Sequence, residues 1–497
     1  MIRSIVRLGL MPQVKNIQTN LFINNKFVPA VSSKTFETLN PATEEVIARV
    51  AEAGDEDLEL AVKAAREAFN TYRTTEGSTR RQLLLTLADL LHAEREEMAA
   101  LECMDNGKPF QDALGDVGLF VECLRYYAGF ADKLYGSLSP VSGNNIAILR
   151  RQPIGVCGLI VPWNFPLVMV AWKLPPALAA GNTVILKPAE QTPLTTLRLG
   201  ELCIKAGFPP GVVNILTGFG PTTGAGIVLH KDIDKIAFTG SWEVGKEIVR
   251  MSSVNNLKKV SLELGGKSPL IVCEDADMDK AISLASIGTF MNSGQVCTAS
   301  SRIYVHESIY DTFVKRLKLA AEQCRVGPGS DPDVTMGPLI SQTQLERVLG
   351  YIEKGKAEGA TLLTGGTRIG NKGYFVKPTI FTNVKDDMVI CKEEIFGPVT
   401  CVMKFKDMEE VIQRANASSY GLAAGLCTEN VDTALRYSTF LDAGSVWVNT
   451  WNSYDAAQPF GGFKQSGYGR DGGAEALEEY TQVKSVKISL NGPIVRN

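Results

Sequence analysis

Histidine is scarce. Only His92, His230 and His306 occur in 497 residues, and they lie far apart. That argues against a histidine-rich metal centre and gives no support to a Ser-His-Asp hydrolase. The ten cysteines are at least ten residues apart, so there is no C-x-x-C pair to hold zinc or run dithiol exchange. No bound metal is expected. An excess of positive charge is missing too: 51 Lys plus Arg face 54 Asp plus Glu, for a net charge of −3. Nucleic acid is therefore not an expected partner. An uninterrupted membrane-length apolar run is also lacking, and no membrane partner is expected. The nearest approach, Ile154 to Trp172, has 19 uncharged residues, but Pro162, Asn164 and Pro166 interrupt it. It reads as a buried strand followed by a loop. With no internal repeat, low-complexity tract or long Pro/Ser linker, composition marks no domain boundary.

What is present is ordinary for a globular chain: 45% apolar and 21% charged residues. At ~150 residues per domain the length corresponds to roughly three domains. Most cysteines sit in apolar runs such as Val156-Cys157-Gly158, as small hydrophobes do in a reducing compartment. The first residues, MIRSIVRLGLMPQVK, carry Arg3, Arg7 and Lys15 and no acid. Both a mitochondrial presequence and a plain solvated tail have this composition. The expected location is the cytoplasm, with the mitochondrial matrix as the alternative.

Periodicity divides the chain. Leu58, Val62, Ala65 and Phe69 follow the acids Asp55-Glu56-Asp57 at helical spacing, and Leu84, Leu87, Leu91 and Met98 predict a second, longer helix. From Gly155 five apolar strands alternate with helix-length segments: Gly155–Val161, Thr183–Leu186, Val212–Leu216, Ile236–Thr239 and Val260–Leu264. This predicts an α/β fold built on a parallel sheet with crossover helices. Gly218, Gly220, Gly240, Gly265 and Gly266 fall just after strands, where such a sheet binds ligands. A second α/β stretch places strands at Arg302–Val305 and Val399–Phe405, and helices at Tyr310–Cys324 and Met408–Ala415.

Several segments have chemical potential. Cys297, in Gly294-Gln-Val-Cys-Thr, sits among small polar residues unlike the other nine cysteines. This predicts a flexible, accessible loop thiol, activated if helix N–H groups lower its pKa. Burial in the core is the competing reading. Glu263 ends a strand beside Gly265-Gly266, where desolvation raises a carboxyl pKa toward that of a general base, unless it is a satisfied edge carboxylate. Asn164, between Pro162 and Pro166, offers an amide N–H to an oxyanion or is simply a turn residue. Lys187 and Glu190, just past a strand, suit a ribose or form a surface ion pair. Gly218-Phe-Gly220-Pro-Thr-Thr-Gly224 is one residue too long for G-x-G-x-x-G. Phe238-Thr-Gly240-Ser241-Trp-Glu-Val-Gly245 fits a diphosphate better: Ser241 caps a helix whose N-terminus follows a strand.

Taken together, PWNFP, KPAEQTPL, ELGGKSP, GQVC, EEIFGP and PFGGFKQSG resemble the NAD(P)-dependent aldehyde dehydrogenase superfamily, close to its cytosolic and mitochondrial tetrameric class. The similarity runs from about Phe22 to Lys484. It implies a Rossmann-like cofactor domain (1–133 and 154–265), an α/β catalytic domain (266–465) and a small bridging oligomerisation segment (134–153 and 481–497) that builds a homotetramer. The implied reaction oxidises an aldehyde to a carboxylic acid with NAD. Cys297 forms a thiohemiacetal and then a thioester, Asn164 with the Cys297 N–H holds the oxyanion, and Glu263, supported by Lys173, assists hydrolysis. The implied cofactor contacts are Pro162, Trp163, Lys187, Glu190, Gly220, Phe238, Gly240, Ser241, Gly245, Gln344, Glu394 and Phe396, and the acid at Glu190 favours NAD over NADP. Phe165, Met169, Trp172, Met291 and Phe460 resemble the substrate-tunnel lining, which suits an aldehyde of low polarity.

Two positions depart from the family. Trp242 replaces a small residue in the first turn of the helix expected to face the diphosphate. Its indole either enters the cleft or lies along the helix flank, and the flank is the reading favoured. Asp471 replaces a longer acid expected to support Lys173. Two functions therefore remain: an active aldehyde oxidiser, which is favoured, and a catalytically silent structural protein resembling the omega-crystallins of mollusc lens.

Overall fold

The computed structural model describes residues 11–492. Arg3 and Arg7 of the basic N-terminal stretch lie outside the described residues, as does the end of the C-terminal segment.

The five strands read from the sequence lie side by side, all parallel, in the order Val213–Ile215, Thr183–Lys187, Val156–Ile160, Lys235–Thr239, Lys259–Glu263. Four of them are buried along their whole length. A parallel sheet covered by helices on both faces has no wet side, so its strands read as continuous apolar runs. The hairpin Leu21–Ile23/Lys26–Val28 joins one edge through Phe22↔Ile215. Its two-residue turn, Asn24-Asn25, has φ of 53° and 57°, as a primed turn requires. Gly467–Tyr468 closes the other edge, with Gly467 opposite Glu263.

A second sheet of seven strands runs Thr361–Thr364, Thr379–Thr382, Val399–Phe405, Arg302–His306, Pro269–Val272, Ala423–Cys427, Ser445–Val448. The predicted strands at 302 and 399 are parallel neighbours in it, with Arg302 opposite Cys401. A third sheet stands apart: Asn145–Pro153 pairs antiparallel with Ser137–Ser139 and with Thr481–Ser489. No helix among the described residues is long and apolar enough to cross a membrane.

The structure corrects two readings. The predicted long helix is two, Gly77–Ala93 and Arg95–Asn106, and Met98 belongs to the second. The chain leaves the helix at Glu94 (φ −97°, ψ 15°), whose carboxylate holds Arg198 at 2.7 Å and Lys205 at 2.8 Å. Leu91 and Met98 are seven residues apart, so the break leaves the apolar spacing intact and periodicity does not reveal it. Second, the loop after Val156–Ile160 ends at Phe165, and the rest of the uncharged run is the helix Pro166–Ala179. Pro166 occupies its first position, where the missing N–H costs nothing. Every residue of this helix is buried, so no polar face marks it as helical.

Candidate active site

All the strong sequence candidates converge where the two large sheets face each other. Glu263, Lys187 and Thr239 end parallel strands of the first sheet, and the loop Val161–Phe165 follows a fourth. From the opposite side come the residues that precede strands of the second sheet: Cys297 before Arg302–His306, and Glu394 with Phe396 before Val399–Phe405. The Gly265-Gly266 pair lets them meet. A Cβ on Gly265 would stand 2.2 Å from a Glu394 carboxylate oxygen, and one on Gly266 would stand 2.5 Å from the Cys297 carbonyl. The Gly266 N–H donates to Glu394 Oε1 at 3.0 Å. Any side chain at these two positions would push the sheets apart.

Cys297 is half-buried in a loop that is neither flexible nor freely accessible, which corrects the expectation for it. Its neighbours Gln295, Val296 and Thr298 are buried. The loop is anchored from three sides: Asn164 Nδ2 donates to the Gln295 carbonyl at 2.9 Å, Ile340 N–H to Gln295 Oε1 at 2.9 Å, and Thr298 Oγ1 to Asn452 Oδ1 at 2.8 Å. Before it, Asn292, Ser293 and Gly294 are left-handed in succession, with φ of 48°, 59° and 69°. The two non-glycine residues cost about 1–2 kcal/mol each. The Asn292 amide, which donates to the Asn164 carbonyl at 2.8 Å, and Ser293 Oγ, which donates to the Gly337 carbonyl at 2.7 Å, hold them there. Asn106 donates to the Trp163 carbonyl at 2.7 Å, so the segment carrying Asn164 is fixed from both sides. Sequence reasoning missed Asn106 and Asn292, because their partners lie 57 and 128 residues away.

The thiol is not activated at rest. Burial, and the nearby Glu394 and Glu263 charges, push the Cys297 pKa up to about 12. No long helix begins at this loop to lower it, which corrects that part of the reading. Glu263 is buried and neither carboxylate oxygen has a hydrogen-bond partner, so it is not a satisfied edge carboxylate. Burial, followed by the Asp471 charge, holds its pKa well above the usual carboxylate range, and Lys173 opposes the shift. Burial also raises Glu394, to about 7.

Asp471 reaches Lys173 despite its shorter side chain, and both are buried in a direct ion pair. The backbone makes this possible: Asp471 and Phe460 exchange N–H···O bonds of 2.8 and 2.6 Å. Asp471→Asn removes a charge that raises Glu263. The alkaline-rising limb of the pH–rate profile is therefore expected to move to lower pH, as steady-state assays across pH would show.

The cofactor candidates also come together. Lys187 is buried, not at the surface, with Nζ 3.0 Å from the Pro188 carbonyl and 3.6 Å from Glu190. Ser241 Oγ accepts from Val244 N–H at 3.4 Å and caps the helix Trp242–Ser252. Gly245 lets this helix pack on Leu264, which a Cβ there would meet at 2.8 Å. Gly240 accommodates the Phe238 ring, 2.3 Å from where its Cβ would lie, whereas Gly220 faces open space. Trp163 and Phe396 meet edge to face at 5.3 Å, and Gln344 Nε2 donates to the Phe396 carbonyl at 2.7 Å. A buried ammonium beside a carboxylate, an exposed capped helix N-terminus and an aromatic pair suit a dinucleotide's ribose, diphosphate and ring.

Aromatic contacts connect two of the predicted tunnel residues, Trp172 and Phe460. Trp172 lies 4.8 Å from Phe460 and 5.5 Å from Tyr454. Asn452 Nδ2 is 3.9 Å from Met291 Sδ, Met169 is buried, and the Lys108 ammonium sits 4.3 Å above the Phe165 ring. The sequence reading omitted Tyr454, whose hydroxyl is 2.9 Å from Thr298 Oγ1.

The sequence pattern of the Aldehyde dehydrogenase family matches residues 27–486. The chain belongs to the aldehyde dehydrogenase family. It is 63% identical to the mitochondrial aldehyde dehydrogenase of Leishmania tarentolae, over 98% of each chain. It is 52% identical to aldehyde dehydrogenase 1A1 of Homo sapiens, over 97% of each. The NAD+ complex of the Bacillus cereus aldehyde dehydrogenase superposes with a TM-score of 0.94 at 53% identity, covering 95% of this chain and 97% of that one.

Within this aldehyde dehydrogenase chain Trp242 lies along the helix flank. It packs on the apolar cluster beneath the first sheet, and Lys246, one turn on, stacks its ammonium 3.8 Å above the indole. Trp242→Thr is expected to change NAD affinity less than tenfold, as read by titration. A gain of tenfold or more, ~1.4 kcal/mol, would mean that the indole obstructs the cofactor.

Proposed function

We propose that this chain oxidises aldehydes of low polarity to carboxylic acids with NAD, using Cys297 as nucleophile. The observation that carries this reading is the buried Glu263 carboxylate, without a hydrogen-bond partner and near enough to act electrostatically on the Cys297 thiol. A thiol with a pKa near 12 attacks only as its proton leaves to solvent, and Glu263, which can accept a proton only once ionised, serves the second half as general base. As the sulfur–carbon bond forms, the carbonyl oxygen gains charge, which Asn164 Nδ2 and the Cys297 N–H stabilise. Asn164 spends one amide hydrogen on Gln295 and keeps the other. When bound, NAD supplies the two-electron acceptor for the aldehyde hydrogen. In the second half Glu263 takes a proton from water, whose oxygen attacks the thioester carbon and releases the thiolate. Lys173, paired with Asp471, limits how far the Glu263 pKa rises.

Lys187 and Glu190 are assigned to the adenosine ribose. The Glu190 carboxylate would repel a 2′-phosphate, which favours NAD over NADP. The N-terminus of Trp242–Ser252 takes the diphosphate, and Glu394 and Phe396 take the nicotinamide ribose and ring. The deciding experiment is NADH formation by the purified chain with short aliphatic and aromatic aldehydes. Saturable NAD binding without turnover on any of them would favour the structural alternative.

Division into cofactor, catalytic and bridging units is supported by the separate sheets. Assembly as a homotetramer is supported by the exposed apolar residues Leu138, Val483 and Ile488 on the third sheet and is tested by sedimentation. The Arg3–Lys15 stretch and the mitochondrial name of the Leishmania relative support the matrix over the cytoplasm. Import of a fluorescent fusion to these first residues tests that choice.

A further inference from the structure

Lys267 belongs to the ELGGK segment, yet the proposed mechanism does not use it. It is buried, and its Nζ has no hydrogen-bond partner. Arg302, opposite on the second sheet, is also buried. Its guanidinium donates to the Lys267 carbonyl at 2.9 Å, to the Arg414 and Ala415 carbonyls at 3.3 and 2.9 Å, and to the Tyr304 hydroxyl at 3.3 Å. Every one of these acceptors is neutral. Among the described residues neither cation has a carboxylate within ion-pair distance, whereas Arg414 beside them pairs with Asp386 at 2.7 Å.

Buried cations are ordinarily paired, because desolvating an isolated charge costs several kcal/mol or more. Burial accordingly pushes the Lys267 pKa below its ordinary value, and a bound anion would favour the charged form. The groups around Lys267 do not supply the missing charge. Burial pushes the Cys401 thiol up to about 12 and raises Cys391 as well, so both are neutral at physiological pH. Glu394 acts on Lys267 only from beyond ion-pair distance and accepts from the Gly266 N–H. The Ser268 hydroxyl, next in the chain, is also buried without a partner.

Lys267 and Arg302 line one small cavity, together with Asn416, Tyr420 and Asp442. Asp442, at the exposed rim of this lining, has its charge paired with Lys464 at 3.2 Å. The cavity holds about one water-sized group, too little for phosphate or a carboxylic acid. We propose that this cavity is a binding site for a single halide-sized inorganic anion, held between Lys267 and Arg302 where the second sheet meets the Gly265-Gly266 turn.

Crystals of the full chain grown in bromide are expected to show an anomalous peak within contact distance of Lys267 Nζ. A water there with no anomalous signal overturns the proposal. In solution, chloride replacing gluconate at constant ionic strength is expected to raise the unfolding midpoint of the wild type. Lys267→Met should abolish that chloride dependence. In gluconate the variant should be at least as stable as wild type, since it removes an unpaired buried cation. Equal wild-type midpoints in the two salts, or a chloride effect that survives Lys267→Met, also overturn the proposal. If the variant does not fold, the bromide map of the wild type decides alone.

Discussion

Cys297→Ala is expected to abolish NAD-dependent aldehyde oxidation to the detection limit, while NAD binding persists. The reason is the uniqueness of its position. Of the ten cysteines, eight are buried, and Cys324 is half-buried beside a helix end, bonded to the Ala320 carbonyl. Cys297 alone stands where Glu263 and Glu394 act on the thiol and Asn164 is bonded two residues away. No other sulfur can take over, because none approaches both a base and an oxyanion donor. Cys273→Ala provides the control: Cys273 packs on Met408 at 3.8 Å, so its loss should cost about 1 kcal/mol of stability and leave turnover intact. More than trace dehydrogenase activity in Cys297→Ala would refute the assignment.

Glu263→Gln is the second large effect: steady-state turnover should fall ~10²–10⁴-fold, the usual worth of a positioned base. A first-turnover burst of NADH should remain, because the loss then falls on thioester hydrolysis. Disappearance of the burst would place Glu263 at thiol activation instead. The same substitution has a stability signature. The folded-state pKa of Glu263 lies above its unfolded value, so between the two the folded protein holds a proton that the unfolded chain releases. Wild-type stability is therefore lost progressively as pH rises above about 4.3, the unfolded value, toward the folded one. An amide does not titrate, so Glu263→Gln should match wild type near that lower limit and melt higher at neutral and alkaline pH. A midpoint unchanged across that range would show that the carboxyl is not strained by burial.

The conflict over Trp242 and Asp471 illustrates how a departure from a family pattern depends on its surroundings. A shorter acid at 471 suggests a broken contact with Lys173, yet the Phe460–Asp471 backbone pairing carries the carboxylate to the ammonium. An indole at 242 suggests obstruction, yet the first turn of that helix has an apolar flank and a lysine one turn on, and the ring lies between them. In both cases the substitution is visible in the chain, but its consequence depends on the backbone that carries it.

The sequence by itself determined the parallel sheet and its strand ends, and singled out Cys297, Glu263 and Asn164 as candidates through their motifs. These follow from local order: buried parallel strands are apolar throughout, and ligand-facing residues must come where such strands stop. Only the tertiary structure decided how each group behaves. Glu263 is unpartnered and Cys297 unactivated because of what surrounds them, and Asn164 is held by Asn106 and Asn292 from distant parts of the chain. The helix break at Glu94 and the buried helix Pro166–Ala179 were hidden for the same reason. Long-range ion pairs and all-round burial leave no local period for a sequence to display.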